Sequence, residues 1–439
     1  MSDADSRTPV PTPFHPTWVL VALLALGLSL PVRASERLLT LTEAIALALK
    51  HSPAVGTAEA RLRGAAERLK EAEAGFVPTL SFSNSYLHLG KAPMLGSQDS
   101  HDIRLVLSQP LYTGGALTAG REGALAGKEA AEAEWERARQ EVAYNVAQAY
   151  YGLLTATRMK EIARLGLEAA ESHAAQVRAS YEAGTVLRTD LLQVQVQVGN
   201  ARQNLIKAEH GAALAEETLF SLLGLAPGTV IRFPDVAPPP PLADDLEELI
   251  STALARRPEL VALRRSVVGA RAGVAVAEAQ RRPTVASALA YQWQGAEVDE
   301  LKGDWSVAVS VTWDLLDGGA AAARIERAKA GLAEAEQGLR QLEEGIRMEV
   351  RQAYQAVREA EEAIPVAQAT REQAKENLDL VRLRYEAGLA TPTEVTDAQV
   401  LLAQADTGYV QAVNNHLVAL ARLAKATGAP AGVEGDGRG

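Results

Sequence analysis

An internal duplication constrains the fold of this 439-residue chain more than any other feature. The stretch "VRASYEAGTVLRTDLL" (177–192) returns as "VRLRYEAGLATPTEV" (381–395), so its tyrosines lie 204 positions apart (385 minus 181). A constant offset along most of the chain predicts tandem copies of one structural unit. Four further matches keep an offset of 204 or 205: Pro53 with Pro258, Pro78 with Pro283, Gly114–Gly115 with Gly318–Gly319, and Tyr150 with Tyr354.

The duplication divides the chain into two repeats, which we place at residues 35–225 and 246–428. Between them, residues 226–245 include "FPDVAPPPPLADD", a proline-rich linker that cannot be helix or central strand. Residues 429–439 are expected to form a flexible tail.

The N-terminus resembles an export signal. Its apolar run, Trp18–Leu30, is short for a membrane span, and small residues flank a cleavage point after Ala34. We therefore expect residues 1–34 to be a signal peptide. The run also fits an uncleaved anchor, and Asp3 and Asp5 depart from the positive charge that usually opens a signal.

Each repeat contains a long heptad pattern. Seam positions step by four and three from Val142 to Tyr181, and again from Ile346 to Tyr385, broken at Lys160 and Arg371. The pattern predicts helices over 116–182 and 320–386, each about 100 Å long, with a bend or looser packing near Pro365. A plain cytosolic coiled coil would show the same pattern.

Strand-like alternation occupies another part of each repeat. Apolar and polar residues alternate near 79–89 and 101–111, and again near 284–293 and 304–313. Strands of about ten residues with one apolar face suit a membrane barrel, although a soluble sandwich remains open. Four strands leave two edges that hydrocarbon cannot accept, so a spanning barrel requires several copies of the chain.

Composition excludes several other functions. The net charge of −11 provides no basic patch for nucleic acid, and the absence of cysteine excludes thiolate metal sites. The histidines are scattered without ligand spacing, and no nucleophile motif or phosphate loop is present. We expect no enzyme activity, cofactor or metal. The histidines considered are His51, His88, His101, His173, His210 and His416.

Several motifs together resemble the TolC family of outer-membrane efflux channels. They are "FVP" before the first strand, "SQPLYTGG" and "TWDLLDGG" after a strand pair, and the two "YEAG" turns, in an order that covers most of residues 38–428. The resemblance implies a mainly α fold with a membrane β-barrel part: a homotrimer with a twelve-stranded barrel on an α-helical tunnel. Shorter helices near 40–75, 189–223, 246–280 and 393–427 would complete it.

The same resemblance implies a function. A passive outer-membrane channel, with a long periplasmic extension, would carry substrates from a periplasmic adaptor and an inner-membrane pump or ABC exporter. Its surroundings would include outer-membrane lipid. The alternative from another class is a periplasmic coiled-coil adaptor or a scaffold without a pore. An adaptor would need compact β domains for which no sequence remains, and a scaffold would lack strand pairs.

The turns after the long helices are the candidate functional sites. Gly184 and Gly388 suit the left-handed conformation that ends a helix. By resemblance, Tyr385, Glu394 and Asp397 lie at the periplasmic entrance constriction, where rings of carboxylates would favour cations. At the two matching positions of the first repeat, Asp190 is acidic and Gln193 is not. Adaptor contacts are expected at Gly184, Thr185, Gly388, Leu389 and Thr391, and barrel–helix junctions at Pro78, Gly114, Gly115, Pro283, Gly318 and Gly319.

Two features qualify the constriction. Leu389 and Ala390 stand where the family has a polar residue and an arginine, so the salt links of the constriction are in doubt. "TPTE", starting at Thr391, is a capping box with proline at the first helical position, so Glu394 fits a helix start as well as a pore ring.

Overall fold

A computed structural model of the chain describes residues 37–91, 94, 97–226, 231–232, 242–243 and 245–429. The expected signal peptide, most of the linker and all but the first residue of the expected tail lie outside the described residues.

The first repeat begins with a short strand and alternates between helix and strand. Helix α1 starts at a capping box between Thr40 and Glu43, and α2 starts with proline at its first position. Its elements are β1 (Arg37–Leu38), α1 (Leu41–His51), α2 (Pro53–Ala74), β2 (Thr79–His88), β3 (Asp99–Tyr112), α3 (Ala116–Glu182) and α4 (Arg188–Leu223).

The second copy has the same order of elements, with its short strand β4 inside the expected linker. They are β4 (Ile231–Arg232), α5 (Leu246–Arg256), α6 (Pro258–Ala279), β5 (Thr284–Gly295), β6 (Lys302–Thr312), α7 (Ala320–Glu386) and α8 (Pro392–Ala426). Both long helices have 67 residues, or about 100 Å at 1.5 Å per residue. Helix α7 continues through Pro365, although proline removes one backbone donor.

The four longer strands form one antiparallel sheet in the order β2-β3-β5-β6. Central pairing joins the two repeats, with Leu105 opposite Tyr291 and Leu107 opposite Leu289. Strands β2 and β6 each have a partner on one side only. The sheet is therefore open at both edges.

The helices pack side by side below this sheet. Helix α3 contacts α2, α4, α6 and α8, while α7 contacts α5, α6 and α8. Helices α3 and α6 approach closely, and a Cβ on Gly123 would be in ordinary van der Waals contact with the Ala272 side chain, at 3.5 Å.

Two apolar cores lie near the middle of the long helices, one in each repeat. The first packs α1 and the end of α4 against α3 around Val146 and Leu153, and the second packs α5 and the end of α8 against α7 around Val350 and Val357. The buried seam of α3 differs from the sequence-based register at several points, two of which involve large side chains. Tyr150 and His173 are buried, whereas their neighbours Ala149 and Ala174 are only half-buried.

Candidate functional site

Both long helices reverse at turns of the same geometry, far from the sheet. We call residues 183–187 the first tip and residues 387–391 the second tip. Gly184 and Gly388 have φ of 77° and 72°. The N–H of Gly184 donates to Tyr181 O at 2.9 Å, and that of Gly388 donates to Tyr385 O at 3.0 Å. Glycine ends each helix in the left-handed region.

The second tip leads into α8 through a complete capping box. The Thr391 hydroxyl accepts from Glu394 N at 3.3 Å, and Glu394 Oε1 accepts from Thr391 N at 3.0 Å. Pro392 occupies the first helical position. The donated hydrogen bonds from the Thr391 N–H and hydroxyl, with the nearby Arg384 charge, lower the pKa of Glu394. Within one chain, Glu394 therefore acts as a capping residue at the start of α8.

Arg384 closes the second tip, a role that sequence reasoning missed. Its Nη2 donates to Leu389 O at 3.0 Å, and its Nη1 lies 3.6 Å from Glu394 Oε2. The arginine that the resemblance led us to expect beside Leu389 is absent. Arg384, on the last turn of α7, provides a salt link within this tip.

The first tip is held by different side chains, and its Thr185 hydroxyl donates to Ser180 O at 2.9 Å. Leu187 precedes α4 and has no side-chain acceptor, so only half of a capping box forms: Asp190 Oδ2 accepts from Leu187 N at 3.2 Å. The leucine side chain is 70% exposed. Asp190 therefore satisfies its own helix start and is not brought against Glu394 or Asp397.

Polar contacts tie α3 and α4 to the start of α8. His173 Nε2 lies 2.9 Å from Pro392 O, and the Thr393 hydroxyl donates to Gln193 Oε1 at 3.3 Å. The rings of His173 and Tyr385 meet edge to face, with centroids 5.5 Å apart. Sequence reasoning treated His173 as a scattered histidine. Its 3/4 spacing between Ala170 and Val177 was the signal that could have found it.

Asp397 differs from the other tip acids. It is exposed, and within the described residues its carboxylate has no hydrogen bond or ion pair. Glu394, three residues earlier on α8, is engaged in the cap. The Asp397 carboxylate is thus available to solvent near the second tip, as is that of Glu386 at the end of α7.

The sheet has one apolar and one polar face. Trp305, Val307, Val309 and Val311 are each about two-thirds exposed, at 66%, 63%, 65% and 67%. Trp305 and Trp313 stand eight residues apart, about 27 Å along an extended strand, close to the roughly 25 Å apolar band of membrane barrels. On the opposite face, Arg104 Nη2 donates to Gln292 Oε1 at 3.0 Å and Asp102 accepts from Gln292 at 2.7 Å.

The junctions between strands and long helices use paired glycines. Gly114 and Gly115 have φ of 64° and 95°, and Gly318 and Gly319 have 65° and 90°. A Cβ on Gly114 would lie 2.7 Å from Ala279 O, so only glycine fits. Strands β2 and β5 begin directly after Pro78 and Pro283. In the second junction Asp317 Oδ1 also accepts from Gly319 N at 3.0 Å.

Two features are absent from the described residues. Among them, no helix combines the length and apolar character needed to cross a membrane. Within the same residues, no group of three or more potential ligands could hold a metal ion.

An aromatic-edged apolar sheet carried on helical hairpins of this length defines a channel-type protein of the outer membrane. The chain matches the profile of the family described as outer membrane efflux protein over residues 44–225 and 249–429, one match per repeat. It belongs to that family. The family is described as efflux proteins of the outer membrane.

Relatives and solved structures agree with this assignment. Protein CyaE of Bordetella pertussis is 29% identical over 304 residues, which cover 66% of this chain and 63% of that protein. A crystal structure of a membrane protein from Pseudomonas aeruginosa matches 88% of this chain and 93% of its own, with a TM-score of 0.80 at 22% identity. The outer membrane protein VceC of Vibrio cholerae matches 89% and 96%, with a TM-score of 0.78 at 22% identity. Such identities show the fold alone.

Proposed function

We propose that three copies of this chain form a passive channel through the outer membrane, continued by a helical tunnel into the periplasm. The observation that carries the proposal is the four-stranded sheet with an exposed apolar face and two open edges. Unpaired backbone groups are costly in hydrocarbon, so the edges need partners. Three copies would supply twelve strands, above the eight of the smallest membrane barrels.

The two faces of the sheet support this arrangement. The face with Trp305 and Val309 suits lipid, and the polar face with Arg104 and Gln292 suits a water-filled lumen. A coiled-coil scaffold or a periplasmic adaptor would have no use for such a sheet, which favours the channel over both.

The tips would form the periplasmic entrance. Asp397 has a free, exposed carboxylate, and in a trimer it would form a ring, with Glu394, Tyr385 and Asp190 nearby. Such a ring favours cations. A passive tunnel needs energy from elsewhere, so a periplasmic adaptor and an inner-membrane pump or ABC exporter would act with it.

The tip turns are the proposed adaptor contacts. Leu187 and Leu389 are each 70% exposed at the turns, and apolar side chains at this exposure suit a protein partner. The proposed contact residues are Gly184, Thr185, Gly388, Leu389 and Thr391.

Ion selectivity in planar bilayers tests the proposal. Glu394→Gln combined with Asp397→Asn should lower the cation preference, seen as a reversal potential closer to zero under a salt gradient. Asp190→Asn should have a smaller effect. The matched control is Glu216→Gln with Glu217→Gln, which removes two exposed charges from α4 away from the tips. Unchanged selectivity in the tip variant would refute the carboxylate ring, and absence of conductance from wild-type protein would refute the channel.

A further inference from the structure

His173 is the buried ionisable group nearest the proposed entrance. It lies on α3 between α7 and α8, with 3% of its surface exposed. Because Pro392 O can only accept, the Nε2 that lies 2.9 Å away carries the proton and donates it. The other ring nitrogen, Nδ1, is buried and has no hydrogen-bond partner in the described part of the chain. The neutral ring therefore makes its hydrogen bond to Pro392 O with Nε2 alone. A proton added at Nδ1 would be a buried donor without an acceptor among the described residues.

A cavity of about 420 Å³ lies beside His173. Its charged and titratable lining groups are Glu168 from α3 and Arg382, Tyr385 and Glu386 from α7. Helix α8 contributes Val395 and Gln399, neither of which ionises. Burial is the main cause that lowers the pKa of His173, and Arg382 adds to it, whereas the Pro392 carbonyl and the Gln176 side chain act in the opposite direction.

The arrangement is specific to one repeat. The counterpart of His173 at an offset of 204 is Asn377, which is exposed on α7. The contact therefore runs in one direction, from α3 of the first repeat to the helix start at the second tip.

We propose that His173 is a positioning residue that holds the second tip against α3 when its ring is neutral and releases the tip when the ring is protonated. The inference depends on the proposed function, which makes this tip the channel entrance. Acid would then widen the entrance.

The direction of the pH effect follows from the linkage between protonation of His173 and packing of the tip. Because the pKa of His173 is lowered in the packed tip, both packed and separated forms are neutral above the usual histidine value of about 6.5. Above that pH, the stabilisation that neutral His173 gives the packed form is fully present. It is lost as the pH falls from the usual value through the lowered pKa. The packed-to-separated ratio falls by about tenfold for each unit by which packing lowers the pKa.

Single-channel conductance at about pH 8 and pH 5, on either side of the usual histidine pKa, tests this inference. Wild-type conductance should rise several-fold in acid. His173→Gln keeps an N–H donor for Pro392 O but cannot titrate, so its conductance should stay low at both values. His173→Phe removes the donor, so its conductance should be high at both. The pH step should persist in His210→Gln, exposed on α4, and in His416→Gln, buried far along α8.

Hydrogen exchange at residues 393–399, corrected for intrinsic rates, gives a second measurement that does not need conduction. Acid should increase the exchange in wild type and not in His173→Gln. A pH step retained by His173→Gln, or absent from wild type in both measurements, would overturn the inference. Wild-type protein that shows the exchange step but no conductance would instead refute the channel while the role of His173 stands.

Discussion

The first and second tips share a backbone but differ in what holds them. Both place glycine at positive φ and repeat the same turn hydrogen bonds. The second tip adds the Thr391 hydroxyl, the Arg384 side chain and the His173 contact. The first adds only the Thr185 hydroxyl, which donates to Ser180 O, and has a leucine at the N-cap position. Both copies keep the turn, and the second copy has more side-chain contacts.

The same contrast appears near the middle of the helices. Arg257 is 5% exposed and its counterpart is Ser52, which makes no side-chain cap bond. Conversely, Tyr150 is buried and its counterpart Tyr354 is half-buried beside Arg358. Each repeat therefore has its own buried polar anchor at a position where its counterpart is only half-buried.

The largest effect is expected from removing Arg257. Its Nη1 contacts Glu349 on α7 and its Nη2 contacts Glu259, both at 2.5 Å, so the side chain ties α6 to α7. Arg257→Met leaves two carboxylates without their cation. We expect a loss of about 2 kcal/mol, less than for a fully buried pair because Glu349 is partly solvated. Thermal unfolding of the purified protein measures the loss.

The matched change in the first repeat is Ser52→Ala. Because Ser52 makes no cap bond, its substitution should leave the unfolding temperature nearly unchanged. Equal losses in both variants would show that the two junctions are supported alike, which contradicts the comparison.

Patterns repeated in both halves allowed the fold to be predicted from the sequence. Heptads and alternation indicated the long helices and the strands, and the glycine positions indicated the tips and junctions. Repeated patterns did not predict which residues of the two repeats contact each other. Tyr150 and His173 are buried one position away from the alanines assigned to the seam, because packing by neighbouring helices decides which face is covered.

Site chemistry was less predictable for a similar reason. The capping box at Thr391 is local in sequence and was recognised as one possibility. The link from Arg384 to Glu394 crosses the turn, and the bond from His173 to Pro392 O joins residues 219 positions apart. Local spacing contains no information about such partners.

An intermediate effect is expected from the tyrosine pair. The Tyr150 hydroxyl donates to Leu39 O at 3.1 Å in the first core. Tyr150→Phe removes that donor and should cost about 1 kcal/mol. Tyr354→Phe, at the half-buried counterpart, should cost less. Thermal unfolding compares them, and a larger loss for Tyr354→Phe would reverse the assignment of the anchor.

The smallest effects concern the helix starts at the two tips, and they test the comparison most directly. Thr391→Ala removes the acceptor for Glu394 N and should loosen the first turn of α8 by about 1 kcal/mol. Leu187→Thr introduces an acceptor where α4 has none, and with Asp190 already bonded to the N–H of residue 187 it should stabilise α4 by a few tenths to about 1 kcal/mol.

Hydrogen exchange of the amides in the first turns of α8 and α4 measures the two effects separately. Protection should fall at residues 393–396 in Thr391→Ala and rise at residues 189–192 in Leu187→Thr. Serine at position 391 keeps the acceptor, so Thr391→Ser should retain most of the protection. If Leu187→Thr gains nothing, the missing hydroxyl is not what weakens the first tip. The difference between the tips would then come from Arg384 and His173, the two contacts that no change at the helix start of α4 can supply.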